Sequence, residues 1–248
     1  MINRSDSRAR EQVLVTVDLV IFTVREDRLQ VLLIERGQPP FEGRLALPGG
    51  YIRVGERLDA AALRELQEET GVDGSQLHLE QLRTYGDPER DPRGRVITVA
   101  YLALTPDMPV ARAGTDARSA DWRPVDQVLQ EEAGLAFDHD VILREALERA
   151  RSQLEYTTVA SAFCIEPFTI ADLRCVYEVV WGFKLDPSNF RRKVTRTDGF
   201  VEPTGEHRVQ ELGRPAALYR RGTARLLSPP LLRSSEVAHS QLSTAALR

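Results

Sequence analysis

The chain has 248 residues, 42% of them hydrophobic and 28% charged, which supplies a real core for one large domain or two small ones. No apolar run approaches the roughly 20 residues that a membrane-spanning helix needs, and the opening MINRSDSRARE lacks the apolar stretch of a secretory signal. Cys164 and Cys175 have no CxxC spacing and the histidines form no zinc pattern, so a cytoplasmic setting without membrane contact is expected.

In chain order, the first 11 residues carry no pattern and are expected to be disordered. Val13 to Ile21 reads as a buried strand, Glu26-Asp27 turns the chain, and Leu29 to Ile34 returns as the second arm of a hairpin. Leu45 to Leu47 is a short strand stopped by Pro48-Gly49-Gly50. A helix is predicted from Leu58 to Thr70, ended by Gly71, with Leu63 and Leu66 turned towards a core. Leu77–Tyr85 and Val96–Leu104 read as strands on either side of the charged loop GDPERDPRGR. Trp122 starts a further segment, and His139–Leu154 is an amphipathic helix. Strands with helices between and after them indicate an α/β or α+β first domain over residues 12–154.

A second unit is expected over 155–222. Thr169 with Asp172 caps a helix that ends at Gly182, and Asp186-Pro187 opens another. The segment VEPTGEHRVQELGRPAALYR then reads as a hairpin. Residues 223–248, rich in Ser, Leu, Arg and Pro without period, are expected to be a disordered tail.

The net charge of −4 is unevenly spread. Residues 1–154 carry 20 basic and 27 acidic side chains, whereas 155–248 carry 13 and 10. That asymmetry suits a nucleic-acid partner for the second half, and equally a solvated surface.

Two stretches carry chemistry. In LPGGYIRVGERLDAAALRELQEETGV, Arg64, Glu65, Glu68 and Glu69 fall within about 140° of one helix face. Like charges so close repel unless a cation sits among them. Several carboxylates with all-oxygen donors, Glu65 and Glu69 with Glu56 arriving from the preceding loop, favour Mg²⁺ or Mn²⁺ as that cation. In DPSNFRRKVTR, Phe190 and Val194 face inward, while Asn189, Arg192, Lys193 and Arg196 line the opposite face beside Arg191. An apolar helix, a short turn and a basic helix follow the helix-turn-helix plan, with Arg208, Arg214, Arg220 and Arg221 on a wing. A small dimerisation module fits the same pattern.

The first stretch matches the Nudix box at Gly50, Glu56, Arg64, Glu65, Leu66, Glu68, Glu69, Gly71 and Val72. The resemblance implies an α/β/α Nudix sandwich that acts on nucleoside diphosphates linked to another group. Glu65, Glu68 and Glu69 would then bind metal or activate water, Arg64 would orient them, and Gly50 and Gly71 would turn the backbone at either end of the helix. Glu89 is a candidate loop acid. GDPERDPRGRVITVAY, LAFDH, FTIADLRCVYEVV, NFRRKV and GRPAALYR together resemble the Nudix-related transcriptional regulators of NAD metabolism.

That resemblance implies a homodimeric bacterial repressor of NAD synthesis or salvage genes, whose winged helix binds a pseudo-palindromic operator and whose Nudix domain senses ADP-ribose. A Mg²⁺-dependent ADP-ribose pyrophosphatase, alone or in addition, is the alternative. Arg44, Arg93 and Arg95 are candidates to meet the pyrophosphate, and Phe41 or Tyr85 to stack on adenine. His139, Trp122 and Trp181 read as core.

Overall fold

The computed structural model describes residues 12–71, 78–106, 117–209 and 215–233. Strand β1 (Leu14–Arg25) alternates its buried side chains between two cores. Val17, Leu19 and Ile21 face helix α1 (Leu58–Thr70), whose Ala61, Ala62 and Leu66 complete one cluster. Val20 and Phe22 point the opposite way, towards Ile142, Leu143 and Ala146 of helix α3 (His139–Tyr156). This period of two along a strand buried on both faces produces an α/β/α sandwich.

Strand β2 (Arg28–Arg36) pairs antiparallel with β1 through the two-residue loop Glu26-Asp27. Both loop residues have positive φ, +51° and +54°, the geometry of a type I′ turn that follows strand twist. Strand β3 (Leu45–Ala46) continues the sheet beyond β2, and β4 (Gly49–Tyr51) pairs with β1 at Thr16–Asp18. On the other edge of β1 lie the parallel strand β6 (Val96–Leu104) and then β5 (His78–Tyr85). Strand β7 (Ala117–Pro124) pairs with β2 and leads into the short helix α2 (Val125–Val128). One edge of β1 is thus divided between β2, at Phe22–Arg25, and β4, at Thr16–Asp18. The strands part there, and a cavity opens between them.

The helix predicted over 58–70 has those bounds, closed by Gly71 in the left-handed region at φ +70°. Its inward face differs from the expectation. Leu63 is 37% exposed, and Ala61 and Ala62 make the contact with the sheet beside Leu66.

Helix α3 continues to Tyr156, so the expected boundary at 155 falls within its last turn. A 3₁₀ turn (Val159–Phe163) and strand β8 (Phe168–Thr169) lead to α4 (Ile170–Trp181) and α5 (Pro187–Arg196), then to the hairpin β9 (Val201–Arg208) and β10 (Ala216–Arg221). Strands order as β8-β10-β9. Both predicted caps form: Thr169 and Asp172 exchange hydrogen bonds in a capping box, and Asp186 accepts from the Asn189 N–H ahead of Pro187. Tyr177, Trp181 and Phe190 meet edge to face at 4.9 and 5.2 Å, fixing α5 against α4. The core of this winged helix is continuous with the core beneath α3.

The expected disorder after residue 222 is corrected for 223–233. Leu227 and Leu231 are buried, and their N–H groups donate to the Tyr156 and Glu155 carbonyls at 2.8 and 2.9 Å. Leucines recurring without helical period suited a strap, whose anchors are backbone hydrogen bonds that composition does not reveal. The expectations for residues 1–11 and 234–248 lie outside the described residues. Among the described residues, no helix is long and apolar enough to cross a membrane.

Candidate functional site

Helix α1 presents Arg64, Glu65, Glu68 and Glu69 to one cavity of about 460 Å³, within the range of small-molecule sites. Arg64 is the cation at the centre. Its guanidinium donates to Glu56 at 2.7 and 2.8 Å, to Glu65 at 2.6 Å, to Glu68 at 3.0 Å and to the Tyr51 carbonyl at 3.1 Å. Only 15% of its side chain is exposed, so the fork is held in one geometry. The repulsion expected among the glutamates is therefore partly relieved from within the protein.

Each carboxylate is tuned differently. Arg64 holds Glu56 down at about 2, helped by the Arg53 N–H. Burial pushes the Glu65 carboxyl up against the pull of Arg64. Glu68 is partly desolvated, but hydrogen bonds from Arg64 and Arg53 leave it below its ordinary value. Glu69 accepts the Gly49 N–H at 2.7 Å. A Cβ on Gly50 would lie 2.5 Å from Glu65 Oε1, so this glycine makes room for a carboxylate. The expected turn at Gly50 is corrected: it lies within β4, since pairing with β1 keeps the backbone extended.

A second wall holds residues to which the sequence assigned no ligand role. Arg36, Arg53, Tyr51, Arg90, Asp91, Phe137, His139 and Asp18 line the cavity with Arg93. Arg93 grips Asp91 at 2.6 Å, which raises the guanidinium's pKa and holds the buried carboxylate below its usual range. Arg36 is lowered by burial and by the neighbouring Arg93 charge. Both guanidiniums lie against the Phe137 ring, at 4.8 and 5.5 Å from its centre. Arg90 is almost fully buried and bridges Asp138, at 2.7 Å, to Asp18, at 3.4 Å. His139 Nδ1 accepts the Leu47 N–H at 2.9 Å, and burial keeps the ring neutral.

Of the three arginines expected to meet the pyrophosphate, Arg93 lines the cavity and Arg44 and Arg95 do not, while Gly50, a further candidate for ligand binding, also lines it. Arg44 donates to the Ala133 carbonyl and lies over Phe41, and Arg95 donates to Gly86 at 2.6 Å. Both serve loop carbonyls instead. Glu89 is exposed and outside the cavity, where Asp91 faces instead. Tyr85 is tied to Glu145 and Phe41 packs on Phe137, so neither faces the cavity. Trp122 and Trp181 pack in the cores as expected. LAFDH, which contains Phe137 and His139, and GDPERDPRGR, which contains Arg90, Asp91 and Arg93, were the sequence signals for this wall.

Among the described residues, no three His, Cys, Asp or Glu side chains converge as a ready metal cage. Arg53 and Arg64 occupy both carboxylate oxygens of Glu68, one of the expected ligands.

The second site is the outer face of α5. Phe190 and Val194 are buried, and Arg191, Arg192 and Arg196 are exposed. Arg192 donates to Asn189 Oδ1 at 2.6 Å, leaving Asn189 Nδ2 with no partner among the described residues. Lys193 is half-buried. On the wing, Arg220 is exposed, whereas Arg221 pairs with Glu166 at 3.2 Å and Arg208 with Asp172 at 2.9 Å. Arg214 lies outside the described residues.

Residues 14–146 match the model of the NUDIX domain, and residues 163–221 match that of the NrtR DNA-binding winged helix domain. The chain belongs to the Nudix family, in its winged-helix branch. The ADPR responsive transcriptional repressor NtrR of Acinetobacter baylyi is 36% identical over 209 residues, 84% of this chain and 81% of that protein. The crystal structure of Shewanella oneidensis NrtR superposes with a TM-score of 0.72 at 37% identity, covering 86% of this chain and all of that one. The same protein complexed with a 27mer DNA gives 0.71 at 35%, covering 86% and 99%. Its NUDIX domain with ADP ribose gives 0.53 at 38%, covering 59% and 94%.

Proposed function

We propose that this Nudix protein is a repressor of NAD synthesis or salvage genes that leaves its operator when ADP-ribose fills the α1 cavity. The observation that carries this reading is the coexistence, on one continuous core, of a carboxylate and arginine pocket with a winged helix whose recognition face is exposed. Two kinds of relative support it, an ADPR responsive repressor and an NrtR protein solved in complexes with DNA and with ADP ribose.

In the nucleus of the pocket, Arg36 and Arg93 are the cations placed to meet a pyrophosphate, and neutral His139 holds the β3–β4 turn through Leu47. Glu65, Glu68 and Glu69 are hard oxygen donors that suit Mg²⁺ or Mn²⁺, provided Arg53 releases Glu68. An ion held by these glutamates would supply positive charge against the phosphates and acidity to a water. On DNA, Asn189 and Arg192 suit base edges, and Arg191, Lys193, Arg196, Arg214 and Arg220 suit phosphates. Two half-sites one helical turn apart require a homodimer, acting in the bacterial cytoplasm and at the nucleoid when bound.

Turnover of the ligand is a second reading, favoured by the glutamates of the box facing one cavity. One experiment separates the readings: a gel shift on DNA from upstream of the protein's own gene, titrated with ADP-ribose, with AMP and ribose phosphate assayed in the same samples. Operator release without products supports sensing alone. Products without sequence-selective DNA retention would leave only a pyrophosphatase.

A further inference from the structure

A ligand in the Nudix cavity can move the winged helix directly through an element that touches both. Helix α3 does. Its 18 residues span about 27 Å at 1.5 Å per residue. Its first turn forms part of the cavity wall, and its last turns are fastened to the DNA-binding unit.

The cavity end is held three ways. Phe137, just before the helix, lines the cavity and carries the guanidiniums of Arg36 and Arg93 against its ring. Its φ of +56° places a bulky residue in the left-handed region, a strained backbone of the kind held at switch sites. Asp138, the residue that begins the helix, is gripped by Arg90 from the 86–95 loop. His139 bonds the Leu47 N–H and lies 3.7 Å from Asp18.

The far end is held from two sides. Arg151 donates to the Val180 carbonyl at 2.9 Å, and the Trp181 indole N–H returns to the Arg151 carbonyl at 3.1 Å. This reciprocal pair ties α3 to the end of α4. On the other side the 223–233 strap binds the Glu155 and Tyr156 carbonyls, and the Arg233 N–H bonds the Glu155 carboxylate at 3.0 Å. The apolar side chains of Leu147, Ala150 and Leu154 share one cluster with Leu173, Val176 and Val180.

We propose that α3 is the coupling rod of the switch, with Phe137, Asp138 and His139 as its ligand-side handle and the Arg151–Trp181 pair with the C-terminal strap as its grip on the winged helix. This rests on the sensor reading above. An anionic ligand drawing Arg36 and Arg93 away from Phe137 removes the contacts that favour its present position. Close packing along α3 then shifts α4, and with it the recognition helix, instead of absorbing the motion locally.

The test uses the full chain carrying Arg151→Ala and Trp181→Phe together. Neither residue belongs to the Nudix cavity or to the DNA face. Operator affinity without nucleotide, measured by anisotropy, and ADP-ribose affinity, measured by calorimetry, should each stay within about threefold of the parent. The factor by which ADP-ribose weakens operator binding, of order tenfold or more for a coupling of ordinary size, should fall below about threefold. Both affinities retained with the full response would overturn the rod. Hydrogen exchange on the unaltered protein is an independent check: ADP-ribose should change amide protection in Val176–Trp181 and in the strap, and unchanged protection there during operator release would also overturn it. An unaltered protein whose operator affinity ignores ADP-ribose would instead overturn the sensor reading on which the rod depends.

Discussion

The two arginine-rich regions of this protein use the same side chain in opposite ways. In the Nudix pocket nearly every guanidinium is already committed: Arg64 to three glutamates and a carbonyl, Arg93 to Asp91, Arg90 to Asp138 and Asp18. On α5, Arg191 and Arg196 are exposed without a carboxylate partner among the described residues, and Arg192 rests only on Asn189. Committed cations build a site of fixed shape, whereas uncommitted ones wait for an anion that arrives from outside. The first arrangement suits one small ligand, and the second suits the regular phosphate charge of a duplex.

The largest expected effect that would sharpen this contrast comes from Glu69→Gln. Any Mg²⁺-dependent cleavage of ADP-ribose should fall by about 10²-fold or more, as when one oxyanion or metal-site group is removed, while operator affinity without nucleotide is unchanged. Product assay and gel shift on the same sample check it. Loss of DNA binding in that variant would break the division between the two regions.

Next in size is the strap. Leu231→Ala deletes a buried side chain and should cost about 2–5 kcal/mol in denaturant unfolding. A cost near zero would mean that residues 223–233 do not hold the winged helix to α3.

Arg192→Ala should cost about 1–3 kcal/mol of operator affinity and relax selectivity at one base pair, whereas Arg196→Ala should weaken all sequences alike and lower the salt slope by about one. Calorimetry with ADP-ribose should detect no change in either variant. Equal behaviour of the two variants would remove the distinction between base and phosphate contacts on α5.

The smallest effect is on pH. Glu56 is depressed to about 2 in the folded state from an ordinary 4.5, so its contribution is whole above pH 4.5 and is lost as pH falls towards 2. His139 is also depressed by burial, so its contribution is present above its ordinary 6.5 and drains as pH drops below that value. Thermal midpoints against pH should therefore show two acid-side declines. Glu56→Gln should flatten the lower one and His139→Gln the upper one.

The elements with the strongest local signals were legible in the sequence. The α1 bounds followed from a helical composition and Gly71, and the α4 and α5 starts followed from capping residues whose hydrogen bonds are local. The carboxylate face of α1 was legible because one helix carries it. The opposite wall was not, since Arg36, Asp18, Arg90, Asp91 and Phe137 come from four segments that only the β1 edge and the α3 start bring together. Arg44 and Arg95 were expected in that wall because charge and sequence proximity say nothing of direction, and both turn to loop carbonyls. Leu63 is exposed because the buried face of α1 runs through Ala61, Ala62 and Leu66, and composition does not show which of two neighbouring apolar rows meets the sheet. The strap escaped notice for a related reason: its anchors are main-chain groups.

The most direct test of the central claim is the operator affinity of the full-length protein measured by fluorescence anisotropy across an ADP-ribose titration at fixed salt. Binding to one upstream sequence should be tight and salt-sensitive and should weaken saturably as the nucleotide is added. Binding that is equally strong on scrambled DNA, or an operator affinity that does not move when the pocket is full, would contradict it.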